Sequence, residues 1–137
     1  MKQTEAREQA LGALYAADSR GLDEIDFTKV SKRAAALAEG AWENRESIDA
    51  AITASSTKWR IERMPVVDRN ILRLGVYELL YSDLAKAIVI SEAVELAKRF
   101  STAKSGAFIN GVLSAVADNG TQPLPAEDAE VPEASDE

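Results

Sequence analysis

The sequence predicts an all-α fold, and three observations carry that expectation. Apolar residues recur at three- and four-residue spacing over most of the chain, the period of one helical face. Hydrophobic residues make up 46% of the sequence but aromatics only 6%, and much of the difference is alanine, the strongest helix former. The four prolines are Pro65, Pro123, Pro125 and Pro132, so a single helix breaker lies among the first 119 residues. At 137 residues the chain has room for one domain with a real core and little more.

Taken in order, Thr4 to Asp18 reads as a first helix, with Ala6, Ala10, Ala13, Leu14 and Ala17 on one face, ended by Gly21. Asp23 to Val30 is a short second helix at best. A long helix is expected over Ser31 to Ser55, with Ala34, Leu37, Ala38, Ala41, Ile48 and Ile52 inward and Trp42 on the flank; Gly40 weakens it without ending it. Lys58 to Arg63 forms about one turn before Pro65, a residue that fits a helix start. From Val66 to Tyr81 apolar residues appear nearly all round, which predicts a helix buried on several sides at the centre of the fold. Ile88-Val89-Ile90 alone reads as strand, but it runs into Ala93, Val94, Ala97 and Phe100 at helical spacing, so helix wins. Ser105 is suited to cap a last helix with Ile109, Val112, Leu113 and Val116 inside, stopped by Asp118-Asn119-Gly120. Six to seven helices are expected in a domain over residues 1–119. Residues 120–137 have no periodicity, three prolines and six acids, the composition of a disordered acidic tail.

The chain has no cysteine and no histidine. That excludes disulfides, thiolate metal sites and cysteine nucleophiles, and removes the commonest general base and metal ligand. No cofactor and no metal site are expected, and catalysis is disfavoured. Glu92 and Glu95 are three apart on one helix face, yet no nucleophile or metal ligand accompanies them, so they and Ser91 read as structural. No apolar run is long enough to cross a bilayer, and the start MKQTEAREQA lacks the apolar stretch of a signal peptide, so a cytoplasmic protein is expected. The net charge of −7 is concentrated at the end. With the six tail acids set aside, 17 of the 23 acids remain against 16 bases, and a nearly neutral body leaves a nucleic-acid partner open.

The segments AREQALGALY, WRIERMPVVDRNILRLGVYELL, ISEAVELAKRF and SGAFINGVL, in this order and at compatible spacing, closely resemble the NusB family over about residues 5 to 117. The resemblance implies two packed helical bundles around the central helix, and no catalytic activity. It implies a transcription antitermination factor that pairs with NusE, also a ribosomal protein of the small subunit. The pair would bind single-stranded boxA RNA, notably in ribosomal RNA transcripts, and help load a transcription elongation complex. Some family members also self-associate, so a homodimer is open.

Each candidate residue has two readings. The family's N-terminus is often arginine-rich where it meets the RNA backbone; here only Lys2 and Arg7 match, among Glu5 and Glu8, and the plainer reading is a solvated helix start. Lys98, Arg99 and Lys104 bracket the turn before the last helix. The helix dipole explains Lys98 and Arg99, but disfavours a cation at Lys104, which makes Lys104 the better RNA candidate. Phe108 lies about 100° from Ile109, toward the edge of the core, and corresponds to a phenylalanine near RNA in the family; it is suited either to stack on a base or to pack on Val112. Asn110 is suited to hydrogen-bond a base or to cap backbone, and Gly111 is expected to allow close helix packing. By the resemblance, Glu62 and Asp68 present acids to the basic ribosomal partner and Tyr15 belongs to the same surface. Solvation, dipole compensation and packing are their respective plainer roles.

Two other functions compete. NusB-like domains precede RNA cytosine methyltransferase domains, but those need an α/β domain and a cysteine nucleophile, and the acidic segment is expected to be this chain's natural end. The other is a protein-interaction module with lost or weak RNA binding, favoured by the thin basic N-terminus.

Overall fold

The structure, a computed structural model, describes residues 3–56 and 59–119. Lys2 and the acidic segment 120–137 lie outside them. Six α-helices and one 3₁₀ turn are found among the described residues, with no strand. The helices are α1 (Gln3–Ser19), α2 (Lys32–Glu43), α3 (Arg45–Ser55), α4 (Val66–Tyr81), α5 (Lys86–Phe100) and α6 (Ala103–Asp118), and the turn is Ile61–Arg63. No described helix is long and apolar enough to cross a membrane.

The central helix is where the apolar pattern put it. Helix α4 touches all five other helices; α1 pairs with α2 against it, α5 pairs with α6 against it, and α3 spans α4 and α6. Ile71, Leu72, Leu74 and Val76 are fully enclosed. Close approach is set by two glycines: a Cβ on Gly75 would lie 2.9 Å from the Leu113 side chain, and one on Gly40 would strike the Tyr77 ring. Burial at this scale, roughly 1.5–3 kcal/mol for each large apolar side chain, is the main driving force for assembly.

Local chemistry explains where the elements depart from the apolar periodicity. Residues 23–30 are not helical. Asp26 accepts from the Thr28 backbone N–H at 2.9 Å and from its hydroxyl, a local turn that competes with helix. Ile25, Phe27 and Val30 still pack on the core, and the Trp42 indole N–H pins this loop through the Asp23 carbonyl at 2.8 Å. The long helix expected over 31–55 is two helices, broken at Asn44 and not at Gly40. The Asn44 side chain donates to the Gly40 carbonyl at 2.8 Å, a carbonyl that also accepts the Asn44 backbone N–H at 3.2 Å, and this local bonding ends α2. Ser31 caps α2 by accepting from Ala34 N–H at 3.1 Å. The cap of α6 is Thr102, which accepts from Ser105 N–H at 3.1 Å, so Ser105 sits inside the helix it was expected to start. Gly21 has φ +67°, and Leu22 N–H closes back on the Ala17 carbonyl at 2.9 Å, a left-handed stop that favours glycine.

Polar side chains fix how the helices are set around α4. Asp18, at the end of α1, accepts from Arg69 Nε at 2.6 Å and Nη2 at 2.8 Å, from Asn70 Nδ2 at 2.8 Å and from Arg73 Nη1 at 3.0 Å. Arg73 also holds Asp49 of α3 with two bonds of 2.9 Å. Burial would by itself raise the Asp18 carboxyl, but the hydrogen bonds from Arg69 and Asn70 and the charges of Arg73 and Arg69 outweigh it and hold the group below its ordinary value of 3.8. A carboxyl lowered by folding contributes fully above its unfolded pKa, and its contribution is lost as pH falls through the folded value. Denaturant midpoints are therefore expected to fall progressively from about pH 4 downward. Asp18→Asn is expected to flatten that acid dependence and to cost about 2 kcal/mol at neutral pH. An unchanged acid profile would remove Asp18 from this role.

Candidate nucleic-acid interface

Helix α5 ends in Lys98-Arg99-Phe100, and a two-residue turn leads into α6, whose second residue is Lys104. Lys98, Arg99, Phe100 and Lys104 are all exposed. Lys98 lies 3.7 Å from Glu95 on the surface of α5, a solvated pair of little energetic weight. Arg99 pairs with Glu8 of α1 and lies over the Phe100 ring, 5.2 Å from its centroid. The first turn of α6 contains no acid, so nothing on that helix offsets Lys104 against the dipole.

Between α5 and α6 runs an open groove of about 440 Å³ with Ala87, Ile90 and Val94 along its apolar part and Ser91, Glu95, Lys98, Asn110 and Ser114 as its polar groups. Two of the residues expected at RNA, Lys98 and Asn110, thus share one groove. The Asn110 side-chain oxygen Oδ1 accepts from the Ser114 hydroxyl at 3.3 Å, and the residue remains exposed. Phe108 is half-buried against the core. Two positions on a helix are about 200° apart, so Phe108 points to the flank of α6 opposite Asn110, on the same side as Lys104. Gly111 is exposed, and a Cβ there would meet nothing within 4 Å. Its expected part in close packing belongs to Gly75 and Gly40 instead.

Two expected contact residues are in the interior. Arg7 is 2% exposed. Its guanidinium donates to both carboxylate oxygens of Glu78, at 2.8 and 3.0 Å, and lies 3.6 Å from Glu92. A bidentate buried pair holds that charge inside, so Arg7 joins α1 to α4 and does not present its cation on the surface. Asp68 is 3% exposed, with both oxygens occupied by the hydroxyls of Ser101 and Ser105 at 2.7 Å each. It is therefore not a surface acid. The other residues expected on the partner surface are accessible: Tyr15 is 43% exposed and Glu62 is exposed. Arg69 reaches from Asp18, three residues after Tyr15, to the Ile61 carbonyl at 3.5 Å, which draws the end of α1 and the turn carrying Glu62 together.

Sequence reasoning missed Asp18, Asp49, Arg69, Arg73 and Glu78. A signal was available for those on α4, since a polar residue in a helix that is apolar all round must find a partner. Their partners on α1 and α3 carried none.

A family model for the NusB family matches residues 4–118. The chain is similar to the transcription antitermination protein NusB of Anaeromyxobacter dehalogenans, 45% identical over 128 residues that cover 85% of this chain and 90% of that protein. It is similar to the protein of the same name from Acidothermus cellulolyticus, 44% identical over 126 residues, covering 85% and 87%. Among solved structures it resembles T. maritima NusB, with a TM-score of 0.77 and 35% identity over 95% of this chain and 98% of that one. It also resembles a chain in the crystal structure of the antitermination factors NusB and NusE in complex with dsRNA, with a TM-score of 0.74 and 31% identity over 86% and 97%.

The burial of Arg7 has a direct test. Arg7→Ala leaves Glu78 enclosed without its partner and is expected to cost about 3 kcal/mol of stability in a denaturant titration. RNA affinity of the folded variant is expected to keep its salt dependence. A stable variant with a shallower salt dependence would return Arg7 to the RNA surface.

Proposed function

The chain belongs to the NusB family of transcription antitermination factors, RNA-binding proteins without enzymatic activity, and from that premise we propose that it binds single-stranded boxA RNA together with NusE, in support of ribosomal RNA transcription. The transcription elongation complex is the assembly the pair would serve. The observation that carries this reading is the exposed basic turn of Lys98, Arg99 and Lys104, beside the groove that holds Asn110. Single-stranded RNA is bound by cations along the phosphates and by polar and aromatic groups at the bases, and this end of the molecule offers all three kinds. Phe108, half-buried beside Lys104, supplies the aromatic edge. Tyr15 and Glu62, on the end of α1 and the turn that Arg69 ties to it, are the residues offered to the basic partner. The resemblance to a chain in a NusB–NusE–dsRNA structure supports NusE and RNA as partners.

With Arg7 turned inward, few cations remain on the RNA side. That observation favours the second reading, an interaction module whose own RNA binding is weak or lost. The two readings part on one measurement. Labelled boxA RNA titrated with the protein alone is expected to bind weakly, and addition of NusE is expected to tighten binding by at least about fivefold, the low end of typical site-to-site coupling. Equal affinity with and without NusE would overturn the paired mode of binding, and no binding in either case would leave the interaction module.

Phe108→Ala is expected to lower RNA affinity more than Lys2→Ala does, and its effect is expected to change little with salt. Stacking releases no counterions, whereas a phosphate contact does. Binding isotherms at two salt concentrations check this; a folded Phe108→Ala protein with unchanged affinity would assign the ring to packing alone.

A further inference from the structure

Asp68 lies in the first turn of α4, yet what it holds is the turn between α5 and α6. The two serines that donate to it bracket that turn: Ser101 closes α5 and Ser105 is the third residue of α6. Each hydroxyl has one proton, and both protons can go to Asp68, at 2.7 Å to Oδ1 and 2.7 Å to Oδ2. The Thr102 hydroxyl lies 3.1 Å from Ser105 Oγ and is placed to donate to it while accepting the Ser105 N–H, also at 3.1 Å. The Ser101 and Ser105 hydroxyls also lie 3.0 Å apart; with both protons on Asp68, the bonds run from the turn inward and end on a single carboxyl group. Arg69, the next residue on α4, reaches the opposite way to Asp18.

We propose that Asp68 is the positioning residue of the RNA surface: without touching RNA, it sets the α5–α6 turn and with it the placement of Lys98, Arg99 and Lys104. Two acceptor oxygens meet two hydroxyl donors, which only a carboxyl side chain does at this length. The same group places an acid beside the N-terminus of α6, where that helix has none of its own and carries Lys104 instead. A turn held at both ends presents its cations without first being ordered, and ordering flexible side chains and loops on binding costs affinity. The role rests on the RNA-binding function proposed above, and concerns the geometry that function needs.

The test uses the full chain with two substitutions. Asp68→Asn removes one acceptor, and Ser101→Ala removes one donor at a half-buried position. Amide hydrogen exchange over residues 101–105, measured without RNA, is expected to quicken about tenfold in each, roughly the worth of one hydrogen bond to a carboxyl. The slope of log affinity for boxA RNA against log salt is expected to become shallower by about 0.7, the value of one lost phosphate contact on a single strand. The double variant is expected to lose less affinity than the sum of the two single losses, because the serine acts through the side chain at 68. A general loss of stability would leave the salt slope of the folded protein unchanged. Should Asp68→Asn fail to fold, Ser101→Ala decides the matter by itself. Wild-type exchange at 101–105, or a wild-type salt slope, in a folded variant would overturn the positioning role. A wild-type chain that binds no RNA would overturn the function itself, and that result is seen before any substitution is compared.

Discussion

Helix α4 is enclosed by five other helices, yet four of its buried side chains are polar: Asp68, Asn70, Arg73 and Glu78. A buried polar group without a partner costs more than a made hydrogen bond contributes, and a charged one more still, so each of the four must be met by a particular neighbour at a particular height along the helix. Asp68 is met by the α5–α6 turn, Asn70 by Asp18 of α1, Arg73 by Asp18 and by Asp49 of α3, and Glu78 by Arg7 of α1. Apolar packing brings α1, α3, α5 and α6 onto α4 but leaves them free to slide or turn. The polar pairs remove that freedom, and the molecule's two ends depend on them.

Energetically these pairs are asymmetric. Taking two charges out of water consumes most of what their attraction returns, so an intact buried pair adds little net stability, while removing one member leaves the other stranded. The network therefore matters less as a sum of favourable terms than as a set of penalties against every other arrangement. Helix α1 is held at two points, Arg7 near its start and Asp18 at its end, separated by three turns. Its exposed residues, including Tyr15, are thereby fixed relative to the 3₁₀ turn that carries Glu62.

The same account divides the cations of the molecule by use. Arg7, Arg69 and Arg73 are bound to carboxylates inside or at the edge of the core. Lys98 and Lys104 stay on the surface, where counterions can be exchanged for phosphates. A basic residue in a sequence counts toward nucleic-acid binding only if no acid has drawn it inward, and in this chain Arg7, Arg69 and Arg73 have been drawn inward, while Arg99, paired with Glu8, stays on the surface. An RNA surface with few free cations then relies on their placement more than on their number.

Period and composition were enough to read the all-helical class, the central helix and the exposed basic turn, because each depends on residues near one another in the chain: the apolar residues all round Val66–Tyr81, the run of Ile88 into Phe100, and Lys98 with Lys104 across a short gap. The break at Asn44 and the turn at Asp26 were also local, but there a side chain competes with the backbone, and apolar spacing does not record that competition. The burial of Arg7 and Asp68 was of another kind. A charged residue at the start of an amphipathic helix looks the same whether it faces water or a carboxylate 71 residues away, and an acid in a first helical turn is satisfied equally well by the dipole or by two distant serines. Only the folded arrangement, which brings Glu78 to Arg7 and Ser101 and Ser105 to Asp68, decides between them, because the partner that makes burial of a charge affordable lies on a different helix.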